Sequence, residues 1–148
     1  MENSENQGIR VSGHQGDSKR IVSGFEKLWV WQRAHQLMLE VHGLCRNLPL
    51  EERFKRRDQI ERSSSSVVDN MAEGYSGFYY NDKIKSFYIA RKEAGETQNH
   101  IRSLEDKRYV SRFQATDLIN RYEEVMRGIN GYIRWLRTKR GSINKNQT

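Results

Sequence analysis

Between Leu28 and Leu48, apolar side chains recur at Trp31, Ala34, Leu37, Met38, Val41, Leu44, Cys45 and Leu48. This three-and-four spacing places them on one face of a helix. Pro49, the only proline, lacks an amide donor and disfavours helix in the residue before it, so the first helix should end near Leu48. A second helix is predicted from about Glu51 to Tyr75, with Phe54, Ile60, Val67, Val68, Met71 and Tyr75 on its apolar face. It should stop at Gly74 to Gly77, where glycine can take the left-handed cap conformation. Asn81 can cap a third helix carrying Ile84, Phe87, Tyr88, Ala94, Ile101 and Leu104 and ending near Arg108. Ser111-Arg112-Phe113-Gln114 has the Ser-x-x-Gln form of a capping box and should open a fourth helix. There Leu118, Ile119, Tyr122, Val125, Met126, Ile129, Tyr132, Ile133 and Leu136 fall within about 140° of one another, with Arg127 and Arg134 opposite.

Four amphipathic helices with short connections and no strand-like alternation predict an all-α, antiparallel up-and-down four-helix bundle. The bundle should occupy residues 25–140. Residues 1–24 are polar and aperiodic and read as a disordered arm, and residues 141–148 as a disordered tail.

A length of 148 residues suits one domain, and no stretch approaches the roughly 20 apolar residues needed to span a bilayer. No basic stretch leads into an apolar one near the start, so a secretion signal is not expected. Cys45 is the only cysteine, so no internal disulfide can form, and a reducing cytoplasmic setting fits. The net charge of +7 is concentrated late: residues 111–148 hold 8 basic against 3 acidic side chains. Arg127, Arg134, Arg137, Lys139 and Arg140 are therefore the candidate contacts for a polyanion such as RNA or DNA. The same cluster would also complement a helix C-terminus and aid solubility.

Little in the chain suggests catalysis. A di-iron bundle needs paired Glu-x-x-His motifs, and there are none. Glu96 and His100 are four apart but have no matching pair, so a solvated hydrogen bond is the expected use. His35 and His42 lie at the edge of the first helix's stripe and should make boundary hydrogen bonds. Ser63 to Ser66 have no glycine elbow around them, and no phosphate-binding glycine loop occurs. No enzyme activity, cofactor or metal is expected. Gln59, Ser63, Ser66, Asn70 and Glu73 form a polar seam along the second helix, expected to hydrogen-bond across a helix or subunit interface.

The segments Phe25-Glu26-Lys27-Leu28, Val30-Trp31-Gln32-Arg33-Ala34, Pro49 with Glu52-Arg53-Phe54, then Gln59, Arg62, Ser66 and Asn70-Met71-Ala72-Glu73-Gly74, followed by Phe87, Ala90 and Glu96, carry a resemblance. Together they resemble the proteins encoded in intervening sequences of bacterial large-subunit ribosomal RNA genes, the S23 ribosomal protein family. The resemblance implies a four-helix bundle assembling as a homopentamer without enzymatic activity, with Gln59, Arg62, Ser66, Asn70, Glu73, Gly74 and Glu96 as motif or interface residues. Lys92-Glu93 stands where that family commonly has Gly-Ser. The family is similar to accessory proteins of diversity-generating retroelements, which bind a reverse transcriptase and nucleic acid through a basic surface. Three uses follow from this resemblance and the charge: RNA or ribonucleoprotein binding, a reverse-transcriptase accessory subunit, or a purely structural homo-oligomer. A pentamer would multiply the charge to about +35, favouring many phosphate contacts.

Overall fold

The computed structural model describes residues 22–146. Residues 1–21, most of the expected N-terminal arm, lie outside the described residues.

A 3-10 turn at Gly24–Lys27, held by the Ser23 amide donating to Glu26 Oε2 at 2.6 Å, leads into α1, Trp29–Cys45. The amides of Asn47 and Leu48 close the end of α1 on the carbonyls of Leu44 and Cys45, and Pro49 turns the chain. A 3-10 turn at Leu50–Glu52 and a π-helical turn at Arg53–Arg57 then run into α2, Asp58–Ser76. Next come α3, Tyr80–Asp106, and α4, Arg112–Asn146. Each helix packs on the next and α1 also meets α4, giving the four-helix bundle, with no strand among the described residues. The stripes converge as expected. Ala34, Leu37 and Val41 of α1, Ile60, Val67 and Met71 of α2, Phe87, Ala94 and Leu104 of α3, and Tyr122, Val125 and Ile129 of α4 are all buried in one core.

The capping box at the start of α4 forms in both directions: the Gln114 amide donates to Ser111 Oγ at 3.1 Å and the Ser111 amide to Gln114 Oε1 at 3.3 Å. Elsewhere local chemistry departs from the sequence expectation. Phe54 is 80% exposed, because the 3-10 and π turns break the phase of α2 before it can carry this ring inward. Tyr88 is partly exposed on α3, outside the core, and Thr97 and His100 are buried. Asn81 lies inside α3, whose first turn follows Tyr79, and its side chain accepts a hydrogen bond from α4 rather than capping. Among the described residues no glycine has a positive φ, and α2 continues past Gly74 to Ser76. Gly74 therefore acts by closeness: a Cβ there would stand 2.9 Å from Ser86 Cβ and from the Phe87 ring.

The end of α3 carries the left-handed residue. The Tyr109 amide reaches the Leu104 carbonyl at 2.9 Å and the Arg108 amide reaches Glu105 at 2.8 Å, with Arg108 at φ 63°. This is the paired closure of a helix C-terminus, with arginine where glycine is the relaxed residue.

At the other end the expected tail, residues 141–148, is described as far as Asn146. The helix continues through Gly141 to Asn146, since nothing there breaks the backbone ladder, although all six residues are exposed. With 35 residues, α4 is about 52 Å long against about 40 Å for the 27 residues of α3.

Candidate nucleic-acid interface

The five C-terminal cations do not form one patch. Arg127 and Arg134 are exposed on the outer face of α4. Arg137 turns toward α3, where it donates to the Tyr88 hydroxyl and lies over that ring at 5.6 Å. Arg140 follows it, donating to Asn81 Oδ1 at 2.9 Å. Lys139 sits over the Trp135 ring at 5.6 Å on the opposite flank. Arg137 and Arg140 thus tie α4 to α3, leaving Arg127, Arg134 and Lys139 without hydrogen bonds or ion pairs to other side chains among the described residues.

Between α1 and α4 lies a groove of about 780 Å³ that sequence reasoning missed. Its walls include Trp29 and Arg33 from α1 and Glu124, Arg127, Gly131, Tyr132 and Trp135 from α4. Gly128 makes it possible, because a Cβ at that position would come within 2.7 Å of the Trp29 ring. Trp29 and Trp135 are about half exposed. The available signal was a tryptophan off the apolar stripe of α4, one and two turns after Gly131 and Gly128 on the same side.

The motif residues on α2 divide between two neighbourhoods. Toward the α2 N-terminus, Arg62 bridges to Glu96, and to Glu93 at 3.3 Å. The Glu93 of Lys92-Glu93 is therefore accommodated between α2 and α3 by an ion pair. Ser63 Oγ meets Thr97 Oγ1 at 2.8 Å, Gln59 stays on its own helix near Arg56 at 3.5 Å, and Asn70 donates back to Ser66. Farther along, Asn70 and Glu73 line a second groove of about 460 Å³ with Asp82, Lys85, Ser86 and Ile89.

His100 is buried rather than solvated. Arg56 donates to its Nδ1 at 2.8 Å, so Nε2 carries the proton and faces Glu96 Oε1 at 3.4 Å. Burial, reinforced by Arg56 and Arg62, holds the imidazole below its ordinary value despite the pull of Glu96. The unfolded chain therefore binds a proton that the folded chain resists. His100's contribution to stability should be complete above about pH 6.5 and decline as pH falls below it. Thermal midpoints measured from about pH 7 down to about pH 5 should drop more steeply for the wild type than for His100→Gln.

The remaining candidate chemistry is quiet. His42 Nε2 lies 3.1 Å from Ser64 Oγ, the hydrogen bond expected at the edge of the α1 stripe, whereas His35 stacks on the Trp31 ring instead. Burial pushes the Cys45 thiol up to about 12, leaving it protonated at neutral pH. Among the described residues no group of three or more His, Cys, Asp or Glu side chains is placed to hold a metal, and no helix is long and apolar enough to cross a membrane.

The sequence model described as "23S rRNA-intervening sequence protein" matches residues 26–131. The chain belongs to this family. The intervening-sequence match covers α1, α2, α3 and more than half of α4, including the groove residues as far as Gly131 but not Tyr132, Trp135 or the basic end of α4. A solved structure from Bacteroides thetaiotaomicron, described as a protein with unknown function from the S23 ribosomal protein family, is similar at 27% identity and a TM-score of 0.66. The similarity covers 70% of this chain and 97% of that one. No curated protein matches the chain.

Proposed function

We propose that this intervening-sequence family member is a non-enzymatic, oligomeric bundle that binds RNA or another nucleic acid through the α1–α4 groove and the outer face of α4. The observation that carries this reading is the pairing of Trp29 and Trp135 with Arg33 and Arg127 along one open groove. Neither arginine makes an ion pair among the described residues. Aromatic faces accept stacked bases, and nearby unneutralised guanidinium groups accept phosphates. Arg134, two turns after Arg127, and Lys139 over Trp135 continue the positive surface toward the end of α4.

Assembly is supported at a different place. Glu73 is exposed in the groove with Asn70, and Phe78 and Tyr79 stand 84% and 67% exposed beside it on the turn into α3. Glu73→Lys is expected to lower the mass measured by light scattering while leaving the helical circular dichroism unchanged.

Fluorescence anisotropy with short labelled RNA at about 50 and about 200 mM salt tests the binding reading. Binding that weakens steeply between the two, and weakens again in Trp29→Ala with Trp135→Ala, is expected. Absence of binding at the lower salt, or binding indifferent to salt, overturns it.

A further inference from the structure

The opposite pole of the bundle, where α1 turns into α2 and α3 into α4, carries a second surface of the same chemistry. Leu50, Phe54 and Phe113 are 75%, 80% and 84% exposed there. These residues belong to one end: Glu52 Oε1 receives Lys107 Nζ at 2.7 Å and the Tyr109 hydroxyl at 3.4 Å, pinning the Leu50–Arg57 segment to the turn after α3. Phe113, at the start of α4, lies beside Gly43, Leu44 and Asn47 at the end of α1.

Charge at this pole is lopsided once the internal pairs are removed. Glu52 is engaged by Lys107, Glu105 by Arg102, Glu61 by Arg57, and Glu40 and Asp117, which lie beside Phe113, both by Arg121. Arg46, Arg53, Lys55, Arg108 and Arg112 are all exposed and make no ion pair among the described residues, against Glu51, Asp58 and Asp106 likewise unpaired. Arg53 already lies over the Phe54 ring at 5.7 Å, the arrangement in which a guanidinium and an aromatic face serve one ligand.

Arg108 adds an independent observation. Its left-handed φ of 63° is a backbone state that glycine takes without strain, yet the position holds a cation pointing away from the core.

We infer that the pole formed by Phe54, Phe113, Arg53, Lys55, Arg108 and Arg112 is a second contact site, for single-stranded nucleic acid, in which bases stack on the two phenylalanines and phosphates meet the cations. The inference rests on the nucleic-acid reading above and assigns that ligand a second point of attachment. Two exposed rings favour a single strand over a duplex, whose bases are already stacked on one another.

The test uses the full chain, a labelled oligouridine strand and an RNA duplex of the same length. Phe54→Ala combined with Phe113→Ala should weaken single-strand binding by about tenfold or more and leave duplex binding unchanged. Arg108→Gly should raise Tm by about 2–4 °C while weakening single-strand binding several-fold, a split that a merely structural arginine would not produce. The inference is overturned if the double phenylalanine variant binds the strand like wild type, if it changes oligomeric mass instead of affinity, or if Arg108→Gly loses no affinity. Wild type that binds neither probe overturns this site and the broader reading together. Intact wild-type binding with unaffected variants overturns only this pole.

Discussion

Gly74→Ala is expected to destabilise the bundle by about 1 kcal/mol and Gly74→Val by about 3 kcal/mol, although either change would ordinarily favour a helix over glycine. Gly74 lies within α2, and a Cβ there would meet Ser86 Cβ at 2.9 Å and the Phe87 ring at 2.9 Å and 3.0 Å. Ser86 Cβ is fixed to its backbone and Phe87 is fully buried, so neither can swing aside. Relief requires α2 and α3 to separate, an overpacking cost of about 1–3 kcal/mol that outweighs the helix-propensity gain of roughly 1 kcal/mol. Gly43 supplies the control, since a Cβ there meets nothing within 4 Å. Gly43→Ala should therefore stabilise by up to about 1 kcal/mol. Urea denaturation of the two alanine variants should move their midpoints in opposite directions. Matching shifts would show that α2 and α3 do not approach as closely as Gly74 implies.

This contrast shows which parts of the fold were legible in the chain. The stripes of α1 and α4 are long and unbroken, and repetition over many turns fixes which side is buried regardless of any one residue. Pro49 and the Ser111–Gln114 box act through their own backbone and neighbours, so their effects could be read locally. Gly74 could not be read that way: a glycine near a helix end has two uses, and only the position of Phe87 on another helix decides between them. Phe54 failed for a related reason, because a change of helical pitch at Arg53–Arg57 leaves no mark in composition.

The candidate site divides similarly. Charge counting located the basic end of α4, but it gave equal weight to arginines that the fold then used differently. Arg137 and Arg140 have partners on α3, at Tyr88 and Asn81, that are 49 and 59 residues away in sequence. Trp29 and Trp135 come from the two ends of the described chain, and the groove exists only where α1 crosses α4 at Gly128. Arg62 and Glu96, by contrast, were both visible as motif residues, and the fold joins them directly.

That division of labour yields the second large effect. Converting Arg127, Arg134 and Lys139 to glutamine is expected to make the slope of log affinity against log salt shallower by about 2 for a single strand. Each cation that meets a phosphate releases counterions, at about 0.7 per contact, so three lost contacts remove about 20-fold of the weakening between about 50 and about 200 mM salt. Affinity at the lower salt should fall by at least tenfold. Arg137→Gln with Arg140→Gln should behave differently: their guanidinium groups are held by Tyr88 and Asn81, so the slope should change by less than about 1 while Tm falls slightly. If α4's charge served only solubility, neither set would alter binding. If charge anywhere on α4 sufficed, the two sets would flatten the slope in proportion to the cations removed. A slope that follows Arg127, Arg134 and Lys139 alone would place the nucleic acid along the outer face of α4, beside the tryptophans of the groove.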